Sequence, residues 1–277
     1  MITFFTIPKS FVGHSAVIQT NAIRSWTKME NSQVILFGND PGVGDLAKEL
    51  QLIHYPDLGV NEFGTPLVSE AFKVASQIAT TPYVAYVNSD IIFISSLEDI
   101  LKDLNKLSSD WMLVGQRIDI DISNFLTFGE DWKVELRQLA SVNSTLHGKA
   151  GIDYFVFPTK LNIQMPNFAV GRPGWDSWLI YNIRSRGLPL IDGTSEIFIL
   201  HQNHPPAYKS YNSEAQKNKV SAGGYYNMGT IRDANYKLIK KYNSYTTEQS
   251  WVGIILFLPI IRFFLSFKRR FVEYLKK

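Results

Sequence analysis

Short apolar runs alternate with amphipathic stretches along the first 120 residues. Met1 to Ile7 reads as a first strand stopped by Pro8, which cannot donate to a ladder. Val34-Ile35-Leu36-Phe37-Gly38 is a second, ending at the turn signal Asn39-Asp40-Pro41-Gly42. Thr65-Pro66 predicts a helix start, with Leu67, Ala71, Val74, Ala75 and Ile78 as the buried stripe and Thr81-Pro82 as the stop. Tyr83-Val84-Ala85-Tyr86-Val87 is apolar throughout, the pattern of a central strand buried on both faces. Ser96-Leu97-Glu98-Asp99 resembles a capping box, continued by Ile100, Leu101, Leu104 and Leu107, and Trp111 to Gly115 forms another strand. Strand-helix-strand alternation predicts an α/β fold: a mixed, mostly parallel sheet flanked by helices.

The second half is less regular. Tyr154 to Phe157 and Ile197 to Leu200 read as strands, and Trp175 to Ser185 as a helix between them. Residues 1–206 are expected to form one α/β domain. Residues 207–250, rich in Tyr, Asn, Ser, Lys and Gly, are expected to form a mobile or ligand-ordered segment. Residues 251–277 are a hydrophobic and basic tail. In it Phe263, Phe264, Phe267, Phe271, Tyr274 and Leu275 recur at three- and four-residue spacing, with Arg262, Arg269, Arg270 and Lys276 opposite. That predicts an amphipathic helix lying in the headgroup plane of an anionic membrane, and so a peripheral, monotopic protein on the cytoplasmic face. The alternative is a helix packed on the domain with a solvated charged side.

Composition sharpens this picture in two ways. The 277 residues include 0 Cys, which excludes disulfides, thiolate zinc sites and a thiol nucleophile. The net charge of +3 is unevenly spread. Six Lys and Arg against Glu273 give +5 to residues 262–277, which leaves −2 for residues 1–261. A body of that charge does not suit nucleic acid. The N-terminus lacks the basic and apolar regions of a signal peptide.

Four segments can carry chemistry. Asn88-Ser89-Asp90 interrupts an apolar run at the carboxyl end of the predicted central strand, where open α/β sheets bind ligands, and a carboxylate there can hold Mg2+ or Mn2+. Asp119-Ile120-Asp121 competes for that role, with two carboxylates on one strand face. Gly171-Arg172-Pro173-Gly174-Trp175-Asp176-Ser177-Trp178 is a tight loop entering a helix. Asp176 can act there as a general base between tryptophans that could wall a sugar pocket; otherwise it complements the helix dipole and the tryptophans are core. His201 and His204 follow a strand and could supply a metal ligand, although they do not match His-Glu-x-x-His. Asp153, just ahead of a strand, is a second candidate base or sugar contact.

Taken in order, these pieces resemble the GT-A superfamily of nucleotide-sugar-dependent glycosyltransferases over most of residues 1–206. The parts that carry the likeness are Thr6-Ile7-Pro8, Asn39-Asp40, the helix opening near Thr65-Pro66, Asn88-Ser89-Asp90, the Gly-Trp-Asp loop and a late histidine. The resemblance implies Asp90 as metal ligand, Asp176 as base, His201 or His204 completing the metal shell, and Thr6, Pro8 and Asp40 near the nucleoside. Asn88, Ser89, Arg172, Trp175 and Trp178 would contact the nucleotide sugar. It further implies a Mn2+ or Mg2+ cofactor, a nucleotide-sugar donor, and a glycan or lipid-linked acceptor in surface-polysaccharide synthesis. Asn88 departs from the family's D-x-D pattern, leaving one carboxylate for the ion. Two rivals remain at this point: a membrane-tethered sugar-binding module without activity, and a sugar nucleotidylyltransferase, for which Pro8-Lys9-Ser10-Phe11 lacks the Gly-rich loop.

Overall fold

The computed structural model describes residues 2–107, 109–205, 215, 217–218, 229–258 and 261. The strands are β1 (Ile2–Thr6), β2 (Ser32–Phe37), β3 (Ile53–Tyr55), β4 (Tyr83–Val87), β5 (Ile91–Phe93), β6 (Met112–Gln116), β7 (Ile118–Ile120), β8 (Ser144–Leu146), β9 (Ile152–Pro158), β10 (Leu190–Asp192), β11 (Ile199–Gln202), β12 (Tyr236–Lys241) and β13 (Ser244–Gln249). The α-helices are α1 (His14–Thr27), α2 (Val43–Glu49), α3 (Val68–Ile78), α4 (Glu98–Leu104), α5 (Trp132–Asn143), α6 (Trp175–Ser185) and α7 (Trp251–Leu256).

Nine strands form one sheet in the order β13-β12-β10-β6-β9-β4-β1-β2-β3. The pairs β4-β1, β1-β2, β2-β3, β10-β6 and β10-β12 are parallel, as the alternation predicts. Only β9, antiparallel to both β4 and β6, and the edge hairpin β12-β13 break the rule. A second sheet, β5-β11-β7-β8, stands beyond the carboxyl end of β4. Hydrophobic clusters cover both faces of the large sheet. One holds Phe5, Phe72, Tyr86, Phe157 and Trp175, and the other holds Phe4, Trp26, Phe93, Trp111 and Tyr154.

Local starts differ from expectation. Thr65 precedes an isolated bridge, Val60 to Pro66, so α3 begins at Val68 without a side-chain cap. Likewise α4 begins at Glu98 with Leu97 at its cap, and Leu107 lies outside it, exposed. Residues 236–249, within the stretch read as a joining segment, are the strands β12 and β13. The fully buried Leu238 ties them to the core, and the Tyr245 amide donates to Asp103 on α4. The amphipathic pattern from Arg262 onward lies outside the described residues. Among the described residues, no helix is long and apolar enough to cross a membrane.

Candidate functional site

The chain leaves β4 at Val87, and the Ile91 amide donates to the Asn88 carbonyl, closing a turn that puts Asn88, Ser89 and Asp90 at the strand's carboxyl end. The antiparallel β9 brings Asp153 opposite. The Asn88 amide donates to the Asp153 carbonyl at 3.0 Å, and the Asn88 side-chain amide donates to the Asp153 carboxylate. Asn88 thus anchors a neighbouring carboxylate. Ser89 donates to Gln19 of α1, whose amide is clamped to the Lys9 backbone.

Asp90 meets two histidines carried by and beyond β11. Its Oδ2 lies 3.0 Å from His204 Nε2 and 3.9 Å from His201 Nε2. Gln202, fully buried, donates to the Asp90 carbonyl from both backbone and side chain. Ligand atoms of Asp90, His201 and His204 all lie within 4.8 Å of one another. Asp90 Oδ1 is buried without a hydrogen-bond partner, which is costly for a carboxylate oxygen unless something binds it. One carboxylate and two imidazoles around an orphaned oxygen fit a divalent ion such as Mn2+, and the oxygen fits Mg2+ as well.

Electrostatics agree with that geometry. Burial pushes the Asp90 carboxyl up, but the His204 hydrogen bond and the neighbouring cations outweigh it and hold it below its usual range. Burial dominates at His201 and lowers it, despite nearby Asp90. The Asp90 hydrogen bond raises His204. At neutral pH Asp90 is an anion and His201 a neutral donor, the forms in which both can ligate a metal.

Behind this set lies a chain of ion pairs. Arg117, between β6 and β7, donates to Asp153 Oδ2 at 2.7 Å and to Asp119 Oδ1 at 3.0 Å. Asp119 also takes His147 Nδ1 and lies 3.0 Å from His201 Nδ1. Asp119 is therefore tied to Arg117 and His147, and Asp121 accepts from Asn203. Neither belongs to the Asp90 set, although Asp119 lies within 3.0 Å of the far nitrogen of the His201 ring, which has no hydrogen-bond partner. Carboxylates behind ligating histidines change metal affinity by about 10–100-fold. Asp119→Asn is expected to weaken Mn2+ binding about tenfold, the lower end of that range, as read by the electron paramagnetic resonance of free Mn2+.

Asp176 is carried by the first turn of α6. Gly174, at φ 117, turns the chain into α6, a conformation a side chain would resist, and Asp176 follows in the first helical turn. Burial lifts its pKa to about 6; the Ser177 amide opposes this and the Asp153 charge adds to it. Asp90, Asp153 and Asp176 all push the buried Tyr86 phenol up, after burial itself. The charges of all three carboxylates are thus felt at one phenol of β4.

Other expected contacts stand differently. Trp175 and Trp178 are 7% and 9% exposed. Trp175 packs edge-on to Tyr86 at 4.9 Å, and Trp178 lies against Phe168. Both rings are buried among core side chains, the alternative that the sequence left open. Thr6 is buried at the end of β1, its hydroxyl without a partner, beside a buried Pro8, while Asp40 is exposed beyond β2. Arg172 is half-buried, with Nη1 3.4 Å from the Gly171 carbonyl. Arg117, His147 and Gln19 escaped the sequence reading because nothing local marks them; only the pairing of β7 with β8 and β11 gathers the first two.

No protein-family model and no curated protein matches the sequence. Among solved structures, the chain is similar to glucosyl-3-phosphoglycerate synthase from Mycobacterium tuberculosis in complex with Mn2+, uridine diphosphate and phosphoglyceric acid. That match has 13% identity, covers 90% of this chain and 86% of that one, and has a TM-score of 0.46. The same enzyme with Mg2+ and uridine diphosphate gives 13%, 90%, 87% and 0.47. S. aureus TarS 1-349 in complex with uridine diphosphate gives 15% identity over 46% of this chain and 38% of that one, at 0.34.

Proposed function

We propose that this chain is a glycosyltransferase. It moves a sugar from a nucleotide-sugar donor to a glycan or lipid-linked acceptor by inverting displacement, in surface-polysaccharide synthesis at the cytoplasmic side of a membrane. The observation that carries this reading is a pair of unlike sites whose charges both act on Tyr86 of β4. One is an anionic Asp90 with two imidazoles and an orphaned oxygen; the other is a carboxylate, Asp176, with its pKa near 6. A sugar-binding module needs neither.

Asp90, His201 and His204 would hold Mn2+ or Mg2+, whose chemistry here is to neutralise charge on a nucleoside diphosphate. Asp176, ionised at neutral pH, accepts the proton of the acceptor hydroxyl. The acceptor oxygen bonds to the anomeric carbon as the bond from that carbon to the diphosphate oxygen breaks, its electron pair leaving with the nucleoside diphosphate. Attack from the face opposite the leaving group inverts the centre. Arg117 holds Asp153 in place beside the base and supplies positive charge at its rim.

Thermal unfolding with uridine, guanosine or thymidine diphosphate, each with and without Mn2+, tests this reading. A ligand at 100 times its Kd adds about 2.7 kcal/mol, or roughly 5–10 °C for a domain of this size. One nucleotide is expected to raise Tm by that amount only with Mn2+, and Asp90→Asn is expected to abolish the metal-dependent part. No shift with any nucleotide would leave the binding module as the better reading.

A further inference from the structure

A second concave region opens at the carboxyl ends of β6 and β10. It is a cavity of about 470 Å³ lined by Lys149, Arg232, Lys237 and Gln116, with Val252 and Leu256 of α7 as an apolar wall. Three cations border it against one carboxylate, Asp192, and none of the three has an ion-pair partner among the described residues. Unpaired cations gathered at one cavity are a site for an anion.

The apolar wall continues outward. Trp251, Val252, Ile255 and Leu258 are 68%, 60%, 50% and 49% exposed, an unusual density for six helical residues and their end. α7 is nevertheless held firmly. A Cβ on Gly253 would collide with the Ala234 carbonyl oxygen, so the helix lies in backbone contact with the end of the 231–233 turn. Phe257 packs under Arg184 and against Tyr181 of α6. The cavity also adjoins the reaction site: Gln116 donates to the His147 carbonyl, one residue from Arg117, and the Lys149 carbonyl takes the Ile231 amide.

We propose that this cavity is the acceptor subsite for a membrane amphiphile with a phosphate on its head and an apolar chain. Lys149, Arg232 and Lys237 meet the phosphate, and Val252 and Leu256 meet the first part of the chain, which runs out along α7 into the bilayer. Calling it the acceptor subsite rests on the glycosyltransferase reading; the anion-and-chain chemistry does not. The phosphate spaces the reacting hydroxyl group from the membrane and points it past Gln116 toward Asp176.

The test is calorimetric titration of the full chain with dodecyl phosphate below its micelle concentration, dodecyl maltoside, and inorganic phosphate. Saturable binding of dodecyl phosphate alone is expected. Lys149→Gln/Lys237→Gln should weaken it about tenfold or more, as expected for lost charge-assisted bonds, and Val252→Ser, at an exposed position, by a few-fold. Equal binding of dodecyl maltoside, equal binding of inorganic phosphate, no binding, or indifference to both variants would each overturn the proposal. The Mn2+-dependent nucleotide shift, measured on the same preparations, separates the two readings. Amphiphile binding without that shift removes the transferase and keeps the site; the shift without amphiphile binding removes the site alone.

Discussion

Asp176→Asn is expected to lower sugar transfer about 1000-fold while leaving Mn2+-dependent nucleotide binding intact, and to make the protein more stable at pH 8. The first half follows from its role: a positioned base contributes about 100- to 10,000-fold, and an amide cannot take the proton. The second half follows from its pKa, raised from 3.8 to about 6 by burial. A carboxyl whose folded pKa lies above its unfolded one favours folding when protonated. That favour is complete below about pH 4, fades between about 4 and 6, and above 6 leaves a buried anion opposing folding by up to about 3 kcal/mol. A neutral amide escapes this cost. Urea unfolding of wild type and variant should therefore nearly coincide at pH 4 and separate at pH 8, with the variant the more stable. Equal stability at pH 8 would mean that the carboxylate is solvated, and near-normal turnover would mean that another group is the base. Wild-type activity should rise with pH across the same window, since the base must be ionised.

The second large effect is structural. Arg117→Ala is expected to destabilise the protein by about 3–5 kcal/mol at pH 7, because it leaves Asp153 buried without its cation and loosens Asp119. Removing Asp153 as well should recover much of that loss, since the penalty comes from the orphaned charge more than from the lost attraction. The measurement is a double-mutant cycle of Arg117→Ala and Asp153→Asn by chemical denaturation. Additive losses would show that the pair is decorative. Asp153→Asn alone should also lower the Asp176 pKa, moving the acid limb of any remaining activity to lower pH, because the Asp153 charge helps hold it up.

The parts of this molecule legible in its sequence are those fixed by local chemistry. β4 shows itself because a strand buried on both faces must be apolar throughout, and Asp90 because a polar break in such a run needs a reason. The Asp176 loop shows itself through Gly174, which turns the chain abruptly into a helix. Helix starts were less legible: Pro66 suits a first helical turn, yet here it bridges to Val60, and the tertiary pairing wins over the local preference. The tryptophans beside Asp176 could not be assigned to core or pocket, because a stacking face and a packing face use the same ring. β12 hid behind its lysines, since only Leu238 of its six residues is fully buried and a single apolar residue makes no period. Nor did the alternation of strands and helices announce the reversed β9, which carries Asp153 into the site. The Arg117–Asp119–His147 chain had no local signature; it exists only once two strands far apart in sequence pair with β7.

That reversed strand has a consequence for how the protein is made. β4 gains its partner β9 only after a further 65 residues or more, with Asn88 waiting for Asp153. Asp90 waits through 114 residues for His204. At about 5–20 residues per second, the ribosome takes roughly 6–23 s over that interval. Until β9 emerges, roughly 3–13 s after β4 at the same rates, one edge of this apolar strand is open on the nascent chain, able to pair with any other extended segment. The ion site does not yet exist and cannot shelter it. Metal added to the finished protein acts too late to protect that edge.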